Sequence, residues 1–171
     1  MKSMENRCEF VSLSDCDAEA VETFKAMLFD YIAETDEHIN RAPNEEFREQ
    51  CFNCLLALRG EENCHIEMCL VDGAAVGFFF GVIANEDDNF FLKNGCGYIR
   101  EFYVRPEYRR RKYGKLMLRR LEELLTGDGA DTIYLTAEPV TGKPFWEAMG
   151  YKNTGEKLPE NQFDIYNKIV G

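Results

Sequence analysis

The sequence predicts an α/β fold of the α+β type, in which about four helices pack on a mixed, mostly antiparallel sheet of about six to seven strands. Two observations predict this class. Short segments rich in aromatic and β-branched residues alternate with longer segments whose apolar residues recur at helical spacing. The chain also has 171 residues, of which 45% are hydrophobic and 30% charged, as in a globular protein with one core. We therefore expect a single domain that spans residues 1–171.

The first half of the chain contains two predicted helices and a hairpin. Its elements are a strand, two helices and two paired strands, at residues 9–13, 14–32, 44–59, 66–70 and 75–84. Ser14 and Asp17 mark the start of the first helix, and a polar acidic connection over residues 34–40 follows it. Gly60 ends the second helix, and Asp72-Gly73 is the turn of the hairpin. The predicted inward face of the second helix consists of Phe47, Cys51, Cys54, Leu55 and Leu58.

The second half begins with a predicted loop at residues 88–95 and a strand at residues 97–104. That strand is rich in aromatic and β-branched residues and ends at Arg105-Pro106. An amphipathic helix then closes near Gly127; its apolar residues are Tyr113, Leu116, Met117, Leu118, Leu121, Leu124 and Leu125. The remaining predicted elements are a strand, a short helix and two final strands, at residues 131–137, 143–149, 151–154 and 163–169.

A basic cluster lies between Arg105 and Arg120, in a chain whose net charge is −11. Eight lysines and arginines face one acid, Glu107, so this stretch alone carries +7. Such a block on an acidic chain indicates one local anionic ligand, whereas nucleic acid or an anionic membrane would need a broad basic face. The alternative interpretation is a solvated charged face of a helix.

The position of the cluster favours the ligand. The helix begins around residues 111–115, where its positive end normally attracts acids rather than cations. Free backbone amides and arginines at a helix start are typical of sites that bind phosphate groups. The sequence therefore predicts a strand, a basic turn and a helix that together bind a phosphate-bearing molecule.

Two segments resemble the GNAT superfamily of N-acetyltransferases. The run Val104-Arg105-Pro106-Glu107-Tyr108-Arg109-Arg110-Arg111-Lys112-Tyr113-Gly114-Lys115-Leu116 resembles its coenzyme-A loop, and the segments 133–136 and 145–151 resemble its fifth strand and following helix. Three positions depart from the family pattern. Lys112 stands where a glycine is expected, so it should keep a helical φ or shift the loop slightly. Trp146 replaces a tyrosine thought to protonate the leaving thiolate, and Glu138-Pro139 replaces an asparagine.

The resemblance implies an enzyme with a sheet splayed between strands four and five. Its co-substrate would be acetyl-CoA, with no metal, and a primary amine of a small molecule or peptide would attack the thioester directly. The pantetheine arm would pair with backbone groups of Phe102, Tyr103 and Val104. The pyrophosphate would meet the amides of the loop, which comprises Arg109, Arg110, Arg111, Lys112, Tyr113, Gly114 and Lys115. Glu101 is the candidate general base, or alternatively a partner of Arg100 or Arg105.

Other readings of the chain remain open or are disfavoured. A non-catalytic acyl-CoA-binding module of the same fold is the alternative function, because Trp146 cannot usefully donate a proton.

The cysteines predict neither disulfides nor a zinc site, since they lie in apolar segments. No apolar run is long enough for a membrane span, no signal peptide is recognisable, and a cytoplasmic protein is expected. Exposed sheet edges make a homodimer compatible with the sequence. The acceptor cannot be identified from the sequence.

Overall fold

Seven strands form one mixed sheet in the computed structural model, which describes residues 7–85 and 95–171. The strands are β1 (Cys8–Ser12), β2 (Cys64–Val71), β3 (Ala74–Ile83), β4 (Gly97–Val104), β5 (Thr132–Ala137), β6 (Lys152–Lys157) and β7 (Asp164–Ile169). The four helices of the described part are α1 (Ala18–His38), α2 (Glu45–Leu58), α3 (Tyr113–Gly127) and α4 (Gly142–Ala148). This confirms the predicted fold class. Residues 88–94 of the predicted loop lie outside the described residues.

The order of the strands is β1-β2-β3-β4-β5-β7-β6. β1 pairs antiparallel with β2, and β7 pairs antiparallel with both β5 and β6. β4 and β5 are parallel, and their pairing joins Gly97–Ile99 to Ile133–Leu135. A pairing that involves only the first residues of β4 agrees with the predicted splay between strands four and five.

The described residues fall into two compact units. The first unit contains residues 7–80 and 101–117, and the second contains residues 81–85, 95–100 and 118–171. The interpretation of residues 1–171 as a single domain stays a prediction. None of the described helices is long and apolar enough to cross a membrane.

In the first unit, an aromatic cluster forms the core beneath α1. Phe24 and Phe78 are fully buried and meet edge to face, with ring centroids 5.2 Å apart. The Asp17 carboxylate begins α1 by accepting a hydrogen bond from the Ala20 amide, and the Asn44 side chain begins α2 in the same way. Each cap gives a backbone amide of the first helical turn a hydrogen-bond acceptor.

Two expectations for these helices are wrong. α1 continues to His38 instead of ending near Ile32, and most of the predicted acidic connection is helical. Asp36, in the added part of the helix, is buried, and its carboxylate accepts a 2.6 Å hydrogen bond from Arg41. This ion pair neutralises the buried charge and so allows the last turn of α1 to pack on the protein. The inward face of α2 agrees with the prediction at Leu55 and differs from it at Phe47, Phe52 and Cys54. Phe52 and Leu55 are its buried residues, whereas Cys54 is exposed and Phe47 packs against the Arg41 guanidinium at 4.8 Å.

In the second unit, α3 and β5 supply the core. Leu121, Leu125 and Ile133 are fully buried. A Cβ on Gly97 would lie only 3.0 Å from Ile133 Cγ1, so the Ile133 side chain packs against β4 only because residue 97 has no side chain. At the turn that follows α4, Tyr151 is buried and donates a 3.0 Å hydrogen bond to the Glu122 carboxylate.

Candidate functional site

The predicted strand, basic turn and helix occur in that order along the chain, and the turn itself lies in the first unit. β4 ends at Val104, a single 3₁₀ turn spans Pro106–Tyr108, and α3 begins at Tyr113. The Arg105 amide donates a 2.8 Å hydrogen bond to the Val76 carbonyl of β3, which fixes the start of the turn. The site therefore begins on the sheet and ends at the amino terminus of a helix.

The loop between the turn and α3 contains two residues in the left-handed backbone region. Arg110 has a φ of 62° and Lys112 a φ of 68°. Lys112 thus does not keep a helical φ, the first of the two expected alternatives, and a slight shift of the loop stays a prediction. A side chain in this region costs about 1–2 kcal/mol per residue, and such backbone strain concentrates at ligand sites. The loop therefore holds two side-chain-bearing residues in a conformation that glycine adopts more readily.

The first turn of α3 has the electrostatic character of an anion site. It contains no acidic residue, and the first amides of any α-helix lack an acceptor within the helix. The side chains of Arg110, Arg111, Lys112 and Lys115 are exposed around it. Amides and exposed cations together are suited to a doubly charged group such as a pyrophosphate.

Arg109 is engaged by its own chain. Its Nε donates a 2.8 Å hydrogen bond to the Val104 carbonyl, and its Nη2 donates to both carboxylate oxygens of Glu34 at 2.7 and 2.9 Å. The guanidinium also lies 5.7 Å from the centre of the Tyr103 ring. Its side chain therefore contacts α1 and the end of β4, and its part in coenzyme binding stays a prediction.

Glu101, the candidate base, lies half-buried on β4 and is contacted by α1. The Tyr31 hydroxyl donates a hydrogen bond to Glu101 Oε2. Arg105, one of its alternative partners in the sequence analysis, instead forms an ion pair with Asp30 at 2.9 Å. On α2, burial raises the pKa of the Cys51 thiol and the negative charge of Glu101 raises it further. Cys51 therefore stays a neutral thiol beside this carboxylate.

Tyr103 is the buried member of the predicted pantetheine segment, and Phe102 and Val104 are half-buried. The Tyr103 ring lies 5.3 Å from the Tyr31 ring, and burial raises the pKa of its phenol, as does the charge of Glu34 to a smaller extent. Opposite it on β3, a Cβ on Gly77 would lie 2.3 Å from the Tyr103 carbonyl oxygen. Only a glycine at position 77 allows β4 to approach β3 this closely.

Trp146, in the second unit, is a core residue. Its ring is buried and meets the rings of Phe145 and Tyr151 edge to face, at centroid distances of 4.9 and 5.4 Å. Burial, and then the nearby Glu122 carboxylate, raises the pKa of Tyr151 far above its ordinary value. In this neighbourhood neither ring is suited to donate a proton near neutral pH.

Sequence reasoning missed Asp30, Glu34 and Gly77. A signal for the two acids exists, because Asp30 and Glu34 are four residues apart on one helix face and so are Arg105 and Arg109 in the loop. Nothing local pairs the two sets, since 75 residues separate each acid from its arginine. Among the described residues, no group of three or more His, Cys, Asp or Glu side chains is arranged to hold a metal ion.

Comparisons with known proteins bear on this site. The model of the acetyltransferase (GNAT) family matches residues 24–151. No curated protein sequence matches the chain. Many solved structures do, among them the PaiA N-acetyltransferase from Thermoplasma acidophilum in complex with coenzyme A, with a TM-score of 0.69, 18% identity and coverage of 95% of this chain and 98% of that one.

Two further structures have similar folds at low identity. An aminoglycoside 6'-N-acetyltransferase complexed with coenzyme A has a TM-score of 0.70 and 12% identity, over 95% of this chain and 97% of that one. An acetyltransferase from Clostridium acetobutylicum with acetyl-CoA has a TM-score of 0.69 and 16% identity, over 88% of this chain and 94% of that one. At these identities the likeness is one of fold.

Proposed function

Since the chain belongs to the GNAT family of acetyltransferases, we propose that it is an N-acetyltransferase that transfers an acetyl group from acetyl-CoA to a primary amine of a small molecule or peptide. The observation that carries this proposal is the loop before α3. Exposed Arg110, Arg111, Lys112 and Lys115 surround a helix start without acids, on a chain of net charge −11. Coenzyme A is a phosphate-bearing ligand that fits such a site.

The loop and the end of β4 would hold the coenzyme. Its pyrophosphate would accept hydrogen bonds from the backbone amides of residues 110–115, because the Arg109 amide already donates a 3.2 Å hydrogen bond to the Pro106 carbonyl. The backbone of Phe102, Tyr103 and Val104 would pair with the pantetheine arm. When bound, acetyl-CoA supplies an activated thioester carbonyl. A backbone N–H near Val104 would stabilise negative charge on that carbonyl oxygen, and such stabilisation is a large term in acyl transfer.

Glu101 would act on the acceptor. Amines are protonated near neutral pH, and only the neutral amine is a nucleophile. Glu101 would accept one proton from the ammonium group, directly or through water, and the neutral amine would attack the thioester carbonyl without a covalent enzyme intermediate. The new C–N bond would form as the C–S bond breaks, and the second proton lost by the nitrogen would pass, directly or through water, to the departing thiolate of coenzyme A. Tyr31 supports this role, because a hydrogen bond donated to a carboxylate favours its ionised, proton-accepting form.

A non-catalytic acyl-CoA-binding module is the second candidate. The observation in its favour is Trp146, which is buried among aromatic rings at a position where many family members carry a tyrosine. Such a module would bind the coenzyme through the same loop and would release no thiol with any amine.

Two measurements on the purified protein separate these functions. Isothermal titration with acetyl-CoA at moderate salt should give saturable heat for either one. Release of free thiol across a panel of primary amines should then occur only for the enzyme. Absence of both heat and a thermal shift with acetyl-CoA would exclude both candidates.

The cytoplasmic location, the homodimer and the lack of nucleic-acid or membrane partners stay predictions.

A further inference from the structure

Two ion pairs connect α1 to the segment that carries the coenzyme loop. Asp30 pairs with Arg105 at 2.9 Å, and Glu34 pairs with Arg109 at 2.7 Å. The acids are one helical turn apart on α1, and the arginines flank the 3₁₀ turn Pro106–Tyr108. The two ion pairs therefore bind the segment to α1 on both sides of its 3₁₀ turn.

The pair of Glu34 and Arg109 is the more strongly built of the two. Both side chains are partly buried, at 21% and 33% exposure, whereas the Asp30 side chain is 58% exposed. The Arg109 Nη2 reaches both oxygens of Glu34, and its Nε holds the Val104 carbonyl at 2.8 Å. Charge-assisted bonds from one guanidinium to two fixed acceptors are strong and directional. Arg109 thus links α1, the last residue of β4 and the loop.

The residues that follow Arg109 need such an anchor. Arg110 and Lys112 are held in the left-handed region, at φ values of 62° and 68°. Side chains stay in that region only where the surrounding structure fixes them. Arg109 immediately precedes this stretch, and its side chain is bound both to helix α1 and to the end of strand β4.

We infer that Glu34 and Arg109 are positioning residues that hold the coenzyme loop, residues 109–115, in its binding shape. This inference rests on the proposed function. The Arg109 guanidinium is neutralised by Glu34, whose carboxylate would repel a phosphate brought to the same place. The phosphates are therefore bound by the loop amides and by the exposed cations, and Arg109 acts on them only through the backbone.

The sign of one substitution distinguishes this role from direct phosphate binding. If Arg109 positions the loop, Glu34→Gln releases it and weakens coenzyme binding. If Arg109 were a phosphate ligand restrained by Glu34, the same substitution would free the guanidinium and strengthen binding. The glutamine is isosteric, so it disturbs the packing of α1 little, but it removes the charge and replaces one of the two acceptor oxygens with an NH2 donor.

The test is titration of coenzyme A into the wild type, Glu34→Gln, Arg109→Gln and the double variant. We expect each single variant to bind about fivefold or more weakly, and the double variant no more weakly than the worse single one. Asp30→Asn should weaken binding in the same direction by less. The matched control is Glu37→Gln, which removes the same charge from an exposed position of α1 and should leave affinity unchanged. Thermal unfolding checks that each variant is folded.

Each other outcome overturns the inference. Unchanged or tighter binding in Glu34→Gln would show that the carboxylate does not hold the loop. Additive losses in the double variant would show that the two residues act separately. An equal loss in Glu37→Gln would show that the general charge of α1, rather than the ion pair, controls affinity. A wild type that binds no coenzyme A would contradict the proposed function, and this inference would fail with it.

Discussion

The Tyr31 hydroxyl donates a hydrogen bond to Glu101 Oε2 and so joins helix α1 to strand β4. The Tyr31 ring is held by its neighbours, since it meets the Phe78 ring edge to face at 5.6 Å and lies 5.3 Å from the Tyr103 ring. A donor fixed in this way keeps the carboxylate in one orientation. It also favours the ionised form of Glu101, as a general base requires.

Tyr31→Phe is expected to alter the pH dependence of acetyl transfer. The substitution keeps the ring and removes the donor, so the ionised form of Glu101 loses a hydrogen bond. The acidic limb of the profile of kcat/KM for the amine should therefore move to higher pH, while the affinity for coenzyme A stays the same. Steady-state rates between about pH 5 and pH 9 measure the shift.

Glu101→Gln is the reference for that experiment. It should lower kcat, leave coenzyme affinity nearly intact and remove the limb that Tyr31→Phe only moves. A profile identical to that of the wild type in Tyr31→Phe would show that the hydroxyl does not tune the base. An unchanged kcat in Glu101→Gln would remove this residue from the mechanism.

Gly114→Asp should raise the KM for acetyl-CoA strongly, by about tenfold or more. Gly114 lies in the first turn of α3, where a new carboxylate would face the phosphates and compete for the helix amides. The matched control is Gly127→Asp, the same substitution at the other end of α3, where a Cβ meets nothing within 4 Å. Normal coenzyme affinity in Gly114→Asp would contradict the proposed position of the pyrophosphate.

Lys112→Gly is expected to stabilise the protein. Lys112 has a φ of 68°, which costs a side chain about 1–2 kcal/mol, and glycine avoids this cost but loses about 0.4–1 kcal/mol through the entropy of the unfolded chain. The net gain should reach about 1 kcal/mol, or a rise in Tm of about 2–4 °C. Lys112→Ala is the control, since it removes the same charge and keeps the Cβ. An equal gain in Lys112→Ala would assign the effect to charge repulsion instead of backbone strain.

The sequence was sufficient to predict elements whose determinants are local. The basic run, the helix that follows it and the caps of α1 and α2 each depend on residues a few positions apart, so the strand, turn and helix of the site could be placed. The helical positions of apolar residues were less informative for α2. Phe47 and Cys54 were expected to face inward and are not buried, whereas Phe52 was not expected there and packs against the Phe24 ring of α1, a contact between helices that spacing along α2 does not specify.

Two kinds of feature could not be predicted from the sequence. One is contact between residues far apart in the chain, and the other is an unusual backbone conformation. The ion pair of Glu34 with Arg109 and the hydrogen bond of Tyr31 with Glu101 bridge 75 and 70 residues. Their existence depends on where α1 lies against β4, which no local pattern specifies. The positive φ of Lys112 is likewise imposed by its surroundings, because lysine by itself disfavours that region.

Asp164 in the second unit should make stability depend on acid. Its carboxylate is bound by the ammonium groups of Lys143 and Lys157, at 2.5 and 2.7 Å, and their hydrogen bonds lower its pKa from 3.8 to about 2. A carboxyl whose pKa is lower in the folded state stabilises the fold above the pKa of the unfolded state and loses that contribution as the pH falls through the lower value. The contribution of Asp164 should therefore be complete above about pH 4 and disappear towards pH 2.

Urea unfolding of the wild type and Asp164→Asn at several pH values tests this dependence. Other carboxyl groups titrate in the same range, so the informative quantity is the difference in free energy of unfolding between the two proteins. That difference should be largest near pH 7 and shrink between about pH 4 and pH 2, because the protonated wild type then resembles the amide. Glu156→Gln, at an exposed position of β6, should show no such change. A difference that stays constant down to pH 2 would mean that Asp164 stabilises the fold through its shape and neutral hydrogen bonds, independently of the two lysines.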